Sequence, residues 1–415
     1  MASSAHGYLA SRVRFGMKFG LETSRALARE LGNPERAYPL ALIAGTNGKG
    51  SVVAYLDSAL RASGLRVGRY TSPHLVRVQE RIVVDGREIT AAALDRAVGR
   101  VRRAAERLVA ARVIPAHPTY FEVLTLAAFD HFRRSGVDFA VVEVGLGGRL
   151  DATNISEPLV SAIVSIDRDH EAYLGTTLAA IAREKAGVLR AQRPVVVGPL
   201  PPAAARAINQ QAARVGAQVV EAPNEAPFTV VTKARRYAGI VALPGSHQRD
   251  NTLVAIRVLE ELKAAGMRVR LPRVAAALSQ TSWPGRLQRL PGGLLLDGAH
   301  NPAGARALAA YLKPRRPFVL VFGAMSDKAV GPMARALFPL AAEVVLTRAP
   351  GRRAATPGLI AALSGTAGRR ARLEPSLSRA LRLARRLAPA GADVVVAGSL
   401  YLIGAVLALR SRSRK

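Results

Sequence analysis

The stretch Pro39–Ser63, PLALIAGTNGKGSVVAYLDSALRAS, decides the fold. An apolar run from Leu40 to Ala44 has the length of a buried strand, and a glycine-rich segment follows it at residues 45–51. The apolar residues after that segment recur at helical spacing, so the pattern predicts a strand, a turn and a helix. Glycines let backbone N–H groups approach an anion, and the helix N-terminus adds about half a positive charge. The stretch therefore predicts a phosphate-binding loop.

All seven loop residues are expected to bind a nucleotide: Gly45, Thr46, Asn47, Gly48, Lys49, Gly50 and Ser51. Lys49 would reach the β- and γ-phosphates, and a nearby hydroxyl would bind a magnesium ion. The spacing departs from the common GxxxxGKS/T motif, because Gly50 directly follows Lys49 and the hydroxyl of Ser51 comes one residue later. A glycine-rich turn that only happens to contain lysine is the alternative. The strand and helix patterns on both sides argue against it.

Length and composition set the class of protein. The chain has 415 residues, which is long for one compact domain and comfortable for two. Hydrophobic residues make up 49% of it, yet no uncharged apolar stretch reaches the roughly 18 residues of a membrane helix. Cysteine is absent, which excludes disulfides, thiolate metal sites and thiol nucleophiles. Because the N-terminus lacks a secretory signal pattern, we expect a cytoplasmic protein with no membrane partner.

The net charge of +31 raises the question of nucleic-acid binding. Most of the excess is arginine scattered through alanine- and arginine-rich helices, and aromatic residues make up only 5% of the chain. Aromatic side chains are thus too sparse for base-stacking platforms, and no nucleic-acid partner is expected. A positive charge of this kind suits anionic small molecules such as ATP and polycarboxylates, without selecting among them.

Strand and helix patterns alternate from residue 40 to about residue 198, after a helix pattern at Phe15–Gly32. This alternation predicts an α/β fold whose N-terminal domain is a P-loop-type, doubly wound parallel sheet. The β-branched sequence at Phe228–Leu243 breaks the rhythm and predicts a small antiparallel addition.

The segment Trp283-Pro284-Gly285-Arg286 interrupts the pattern, and we place the domain boundary there. Strands and helices alternate again beyond it, which predicts a smaller C-terminal Rossmann-like α/β domain. We therefore expect domains at residues 1–284 and 285–415.

Polar residues follow the predicted strands at several points. In an open parallel sheet, ligands collect at the carboxyl ends of the strands. Five polar clusters occupy such positions: the phosphate loop, Thr71–His74, Glu143, Asp169–His170 and Asp297–Asn301. Each cluster alone has an ordinary structural interpretation, such as a carboxylate that caps a loop. Together they predict one site.

The loop sequence Gly-Thr-Asn-Gly-Lys-Gly-Ser resembles the nucleotide loop of the Mur ligase superfamily of ATP-dependent amide-bond ligases. It is most similar to the folate branch, the folylpolyglutamate synthase and dihydrofolate synthase family. The segment Val142–Asn154, VEVGLGGRLDATN, resembles the signature of that branch over its whole length. Further similar motifs occur in the expected order from about Phe15 to Gly404.

The resemblance implies a site for two magnesium ions beside a pterin pocket. The implied magnesium ligands are Ser72, Glu143, His170 and a carbamylated Lys185. Magnesium prefers oxygen ligands, so the role of His170 depends on the resemblance alone. The implied pterin-pocket residues, in the first domain, are Thr119, Phe121, Asp151 and Ala152.

Lys185 also has a structural interpretation, because a cation in the last turn of a helix interacts favourably with the helix dipole. An unmodified ammonium about 4 Å from a magnesium ion would cost roughly 8 kcal/mol at an effective dielectric constant near 20. Lys185 is therefore either modified or faces away from the metal.

The remaining implied residues bind ATP or the second substrate. Asn251 would contact adenine, Asp297 the ribose, and Arg286 a phosphate. His300 would lie near ATP and the incoming glutamate. The implied catalytic residues are Lys49, His170, Lys185, Arg286 and His300. Without the resemblance, Arg286 would be a solvated linker residue, and Ser246 would cap the helix that contains Asn251.

The resemblance implies that ATP phosphorylates a substrate carboxylate and that the amine of L-glutamate then attacks the acyl phosphate. The expected cofactors are ATP and two magnesium ions. The expected partners are dihydropteroate or a reduced folate and L-glutamate, bound by a monomer with one or both activities. Two alternatives are kept: a peptidoglycan-precursor ligase of the same superfamily, and a P-loop ATPase that binds nucleic acid.

Overall fold

Two large β-sheets organise the protein in the computed structural model, which describes residues 5–13, 20–222, 229–232, 234–315 and 317–412. The first sheet has eight strands in the order β4-β3-β2-β5-β1-β6-β7-β8, and β2, β5, β1, β6, β7 and β8 run parallel. Its strands are β1 (Leu40–Ala44), β2 (Val67–Tyr70), β3 (Ile82–Val84), β4 (Arg87–Glu88), β5 (Phe139–Glu143), β6 (Val160–Ile163), β7 (Pro194–Val197) and β8 (Gln218–Glu221).

Helices cover both faces of this sheet, so its central strands are apolar on both sides. Along β1, Leu40 and Leu42 pack into the core on one face, while Ala41 and Ile43 pack into the core on the other. This explains why β1 reads as a continuous apolar run rather than an alternating one. The helices are α1 (Ala5–Val13), α2 (Glu22–Glu30), α3 (Lys49–Ala62), α4 (Ala91–Ala110), α5 (Tyr120–Arg134), α6 (Glu171–Leu174), α7 (Leu178–Lys185), α8 (Pro202–Val215), α9 (His247–Ala264) and α10 (Leu271–Ser279).

The second sheet has six strands in the order β11-β12-β16-β13-β14-β15 and begins beyond residue 285. Only the β11–β12 pair in it is antiparallel among the described strands. Its strands are β11 (Gln288–Leu290), β12 (Leu294–Leu296), β13 (Phe318–Phe322), β14 (Glu343–Leu346), β15 (Arg372–Leu373) and β16 (Asp393–Ala397). Its helices are α11 (Pro302–Leu312), α12 (Val330–Leu337), α13 (Pro357–Leu363), α14 (Leu377–Leu387) and α15 (Leu400–Arg412).

The predicted fold class is confirmed, because both sheets are mainly parallel and alternate with helices. The small antiparallel addition is present as β9 (Thr229–Val231) paired with β10 (Arg236–Ala238), although Phe228 lies outside the described residues. The helix predicted at Phe15–Gly32 also begins outside them; of its described residues Gly20 and Leu21 are not helical, and the helix is α2. The expected boundary after residue 284 falls between the two sheets. Among the described helices, each is too short or too polar to cross a bilayer.

Candidate active site

The phosphate loop connects the carboxyl end of β1 to the first turn of α3. Gly45 and Gly48 have φ angles of 148° and 83°, in the left-handed region that glycine tolerates best. The loop is tied to the segment after β6: Thr46 N donates to Ser165 O at 2.8 Å, and Asn47 N donates to Ser165 Oγ at 3.0 Å. These bonds hold the loop at the edge where β1, β5 and β6 end side by side. This is the expected ligand position in a doubly wound sheet.

We call residues up to 284 the first unit and residues from 285 onward the second unit. A cavity of about 350 Å³ lies at this edge, and residues of both units line it. The predicted residues that line it are Gly45–Ser51, Ser72, Glu143, His170, Lys185, Asn251, Arg286, Asp297 and His300. The four residues expected around the pterin, Thr119, Phe121, Asp151 and Ala152, are not among its lining residues. The structure thus brings most of the predicted site together, from segments up to 255 residues apart in the chain (45 to 300).

Glu143 is a buried carboxylate at the carboxyl end of β5. Its Oε2 accepts a hydrogen bond from Ser72 N at 3.1 Å, and burial raises the pKa of the carboxyl. Burying a carboxylate is costly unless a cation is near, and oxygen donors are the ligands that magnesium prefers. Among the described residues no group of three acidic or histidine side chains could hold a metal. Glu143 and Ser72 therefore fit a divalent cation that takes its other ligands from phosphate and water.

Two lysines, the buried Lys185 and the half-buried Lys49, share one backbone oxygen of the phosphate loop. Lys49 Nζ and Lys185 Nζ each donate to Gly45 O at 3.0 Å, and Lys49 also donates to Thr46 O at 3.3 Å. Lys185 thus faces the site rather than the end of its own helix. Burial, reinforced by Lys49, lowers the pKa of Lys185 to about 7, and burial also lowers the pKa of Lys49. The site therefore brings two amines, each with a lowered pKa, onto one carbonyl oxygen of the loop.

The residues expected at the pterin pocket shape the wall beside the cavity. Thr119 caps α5, because its Oγ1 accepts from Glu122 N at 3.3 Å while Glu122 Oε2 accepts from Thr119 N at 2.8 Å. Phe121 packs on Gly145, where an added Cβ would lie 2.5 Å from its Cζ atom. Asp151 accepts hydrogen bonds from Leu146 N at 2.9 Å and from Thr153 Oγ1 at 2.6 Å, which fold the loop after β5.

Helix α9 meets the phosphate loop at its first two turns. Gln248 Nε2 donates to Ser51 Oγ at 3.2 Å, and Asn251 Nδ2 donates to Gln248 Oε1 at 2.9 Å. Asn251 Oδ1 occupies the space that a side chain at Gly48 would need. The expected cap at Ser246 is wrong: Ser246 has helical φ and ψ angles and makes no capping hydrogen bond. A true N-cap needs an extended backbone to aim its side chain at the first turn.

A polar group that we call the Asp169 cluster joins the two units: Asp169, His170, His300, Asn301 and Lys328. Lys328 Nζ lies 2.6 Å from Asp169 Oδ1 and 3.4 Å from His170 Nε2. Asn301 Nδ2 lies 3.0 Å from Asp169 Oδ2, and His300 Nε2 lies 3.8 Å from the same oxygen. Asp169 is thus the residue of the first unit around which side chains of the second unit gather.

The Asp169 cluster also reaches the phosphate loop. Asn301 Nδ2 donates to Asn47 Oδ1 at 2.9 Å, and Asn47 Nδ2 donates to Asn301 Oδ1 at 3.3 Å. Burial by itself would raise the pKa of Asp169, but Lys328 and His170 hold it well below the ordinary value. Burial lowers the pKa of His170 and of His300 to about 4 in each case. The cluster is therefore an ionised carboxylate with neutral imidazoles beside it.

Sequence reasoning gave no role to Lys328 or Asn301. Asn301 belongs to the polar cluster predicted after β12, and its neighbour His300 was given a role instead. Lys328 follows no predicted strand directly, and nothing in its sequence neighbourhood points to a partner. Only the structure shows that it contacts Asp169.

Arg286 and Asp297 lie where the chain enters the second unit. The guanidinium of Arg286 lies directly against Gly298 and lines the cavity. Asp297 Oδ2 accepts from Leu287 N at 3.0 Å, and its Oδ1 accepts from Ala299 N at 2.9 Å. Burial raises the pKa of Asp297. Asp297 thus holds the backbone around Arg286 and lines the cavity.

Comparison with known proteins gives the class first. A family model described as the Mur ligase middle domain matches residues 43–259, and one described as the Mur ligase, glutamate ligase domain matches residues 285–400. Fold, phosphate loop and these matches together define an ATP-dependent ligase of the Mur ligase superfamily.

Individual relatives identify the family within this superfamily. Folylpolyglutamate synthase of Lacticaseibacillus casei is 34% identical over 398 residues, which cover 92% of each chain. A solved Escherichia coli structure in complex with DHPP and ADP is 29% identical, with a TM-score of 0.89 and coverage of 100% of this chain and 99% of that one. The bifunctional folylpolyglutamate synthase/dihydrofolate synthase of Yersinia pestis, solved with AMPPNP and Mn, is 31% identical, with a TM-score of 0.86 and coverage of 99% and 98%. This chain belongs to the folylpolyglutamate synthase/dihydrofolate synthase family.

Proposed function

We propose that this protein uses ATP to join the amine of L-glutamate to the carboxylate of dihydropteroate, and to that of folates, through an acyl phosphate. One observation carries the proposal: the cavity places the phosphate loop of the first unit against the Asp297–His300 loop of the second, with the buried carboxylate of Glu143 beside it. The ligands of the related structures, a nucleotide, a divalent metal and DHPP, support the same substrates.

The chemistry has two steps. The substrate carboxylate attacks the γ-phosphorus of ATP, and the bond to the leaving ADP breaks. The glutamate amine then attacks the acyl carbon, phosphate leaves, and the nitrogen loses a proton. A divalent cation held by Glu143 and Ser72 would neutralise charge on the phosphates. That two ions bind, with His170 and Lys185 as further ligands, stays a prediction.

Residues of the chain supply the rest of the charge stabilisation. Lys49 Nζ donates to the loop carbonyls of Gly45 and Thr46 and would turn to the γ-phosphate when ATP binds. Arg286 would approach the same phosphate from the second unit. His300 Nδ1 lies 2.8 Å from Gly298 O, and because a carbonyl only accepts, the neutral imidazole donates there and leaves Nε2 as an acceptor. We propose that this acceptor faces the incoming amine.

The two units would bind different substrates. We propose that residues 1–284 hold ATP and the pterin substrate, with Asn251 at adenine and Thr119, Phe121, Asp151 and Ala152 at the pterin. Residues 285–415 would bring the glutamate and exclude water that would hydrolyse the acyl phosphate. We further expect a cytoplasmic protein that is a monomer. Light scattering of the purified protein would check the monomeric state.

ADP release tests the function directly. Purified protein is incubated with ATP and magnesium, and with dihydropteroate or tetrahydrofolate, each with and without L-glutamate. We expect ADP and a product one glutamyl residue heavier only when acceptor and glutamate are both present. RNA and DNA serve as further arms, since stimulation by either would support the nucleic-acid ATPase instead. Absence of ADP with both acceptors would refute the proposal.

We also propose that Lys185 is carbamylated in the active protein. Two cations on the single oxygen of Gly45 repel each other, and the lowered pKa gives Lys185 a neutral fraction at pH 7. The neutral nitrogen attacks carbon dioxide, an N–C bond forms, and one proton is released. The product is an anion that pairs with Lys49.

Removal of carbon dioxide tests this modification. We expect activity to fall in bicarbonate-free buffer and to return when bicarbonate is added, with a ¹³C signal from labelled bicarbonate that Lys185→Arg lacks. Crystals should show density for the added group. Full activity without bicarbonate, together with a bare amine in the map, would contradict the carbamate while leaving the ligase function intact.

A further inference from the structure

Trp283, the single tryptophan of the chain, lies in the segment that joins the two units. Its indole packs against Gly50 in the first turn of α3. A Cβ added at Gly50 would lie 2.9 Å from Trp283 Nε1 and 3.2 Å from its Cε2. The indole therefore fills the space that any side chain at Gly50 would need, and the joining segment touches the phosphate loop directly.

Residues of the first unit hold this indole in place. The guanidinium carbon of Arg69 lies 5.1 Å from the ring centroid, a distance typical of a cation–π contact. Arg69 Nη1 lies 3.3 Å from Asp57 Oδ2, and Arg61 Nε lies 3.2 Å from the same oxygen. Asp57 is buried in α3. The indole is thus fixed by α3, which starts at the phosphate loop, and by β2.

Two residues after Trp283, the same segment forms hydrogen bonds with the second unit. Gly285 O accepts from Gly298 N at 2.8 Å, and Gly285 N donates to Gln288 Oε1 at 2.9 Å. Arg286 then places its guanidinium against Gly298. Pro284 alone separates the two attachments, and its ring restricts the backbone φ angle between them. A displacement of the indole would therefore also displace Arg286.

We infer that Trp283 is a positioning residue for Arg286 and that it couples nucleotide on the phosphate loop to the position of the second unit. The inference rests on the proposed function, since it takes the ligand of the loop to be ATP. Misplacement of a charged group by about 1 Å can cost on the order of 100-fold in rate, so a fixed segment matters for catalysis.

The unaltered protein carries its own reporter, because all indole fluorescence comes from Trp283. AMPPNP with magnesium is titrated while emission is recorded, and binding is measured in parallel by calorimetry. We expect the emission to change with the dissociation constant that calorimetry gives. Calorimetric binding without any emission change would overturn the coupling and leave the ligase function standing. No calorimetric binding would refute both.

Variants test whether Trp283 acts through Arg286. We expect Trp283→Ala to lower kcat about tenfold, with a smaller change in the KM for ATP. In an Arg286→Ala background the same change should lower kcat less than about twofold further, since the effects of coupled residues do not add. Multiplicative losses, or an unchanged kcat in the single variant, would contradict the inference.

Controls separate positioning from stability. Tyr311→Ala removes another partly exposed ring under an arginine, with the Arg315 guanidinium 4.0 Å from its centroid, and should leave kcat unchanged. Trp283→Phe should recover most of the activity. If Trp283→Ala does not fold, Arg69→Lys keeps a charge beside Asp57 but loses the planar stack, and should lower kcat about threefold with the emission shifted. Normal kcat and emission in that variant would overturn the inference.

Discussion

The phosphate loop and the Asp169 cluster meet at the Asn47–Asn301 hydrogen bonds, and they are built in opposite ways. The loop is seven consecutive residues, Gly45–Ser51, whose function lies in backbone conformation. The Asp169 cluster is five side chains from three separate segments, and its partners Asn47 and Asn301 are 254 residues apart. A local cradle is encoded by neighbouring residues, whereas a cluster between units exists only once both sheets are in place.

The two regions also differ in charge. The amines of Lys49 and Lys185 both donate to Gly45 O, so the loop concentrates positive charge. The Asp169 cluster is already balanced, because Lys328 neutralises Asp169. We conclude that the loop is poised to bind phosphate, while the cluster stabilises contact between the units even without substrate.

The largest effect is expected at the loop. Lys49→Ala should lower kcat by at least ~100-fold, because a donor to the transferring phosphoryl group is lost. Lys263→Ala, an exposed lysine at the end of α9, is the matched control and should retain full activity. ADP release at saturating substrates measures both. A near-normal kcat for Lys49→Ala would remove the loop from the mechanism.

The next effect is expected in the cluster. Lys328→Met removes a charged partner from a carboxylate that is 9% exposed, and should lower kcat/KM for glutamate roughly 10- to 30-fold. Lys313→Met, at an exposed position after α11, should behave as the unaltered protein. If Lys328→Met keeps its kcat/KM, the cluster is only a structural contact, and the comparison with the loop fails.

Acid should weaken the Asp169 cluster through its two histidines. The pKa values of His170 and His300 are about 4, below the ordinary value, so the unfolded chain binds more protons than the folded one as pH falls from 6.5 to 4. The free energy of unfolding should fall over that range, by up to about 3 kcal/mol for His300 alone. Urea unfolding at several pH values measures the slope. His300→Asn should flatten it, His6→Asn should not, and equal slopes in all three proteins would contradict the assignment.

The smallest effect is expected at Thr119, which we propose lies beside the pterin. Thr119→Ala opens a buried capping box and should cost about 1–2 kcal/mol of stability, while raising the KM for dihydropteroate roughly threefold. Thr90→Ala removes a simple cap from α4, where Ala93 N donates to Thr90 Oγ1 at 3.2 Å. It should cost about 1 kcal/mol and leave the KM unchanged. Equal KM values would separate Thr119 from the substrate.

Much of the fold and part of the site could be predicted from the sequence. β1, the loop and α3 were correct because apolar periodicity and glycine placement act over a few residues. The cap at Ser246 was wrong because local residue type does not fix backbone angles when α9 is held by its contact with the loop.

By itself, the sequence determined that a glycine-rich turn lies between a buried strand and a helix, and that the alternation restarts beyond Arg286. Only the tertiary structure decided that β5 and β6 flank β1, that Lys185 meets Gly45 O, and that Lys328 reaches Asp169. The physical reason is the separation along the chain over which each kind of interaction acts. Backbone conformation and periodicity are set by near neighbours in the chain, whereas an ion pair between units depends on how two separately packed sheets come to rest against each other.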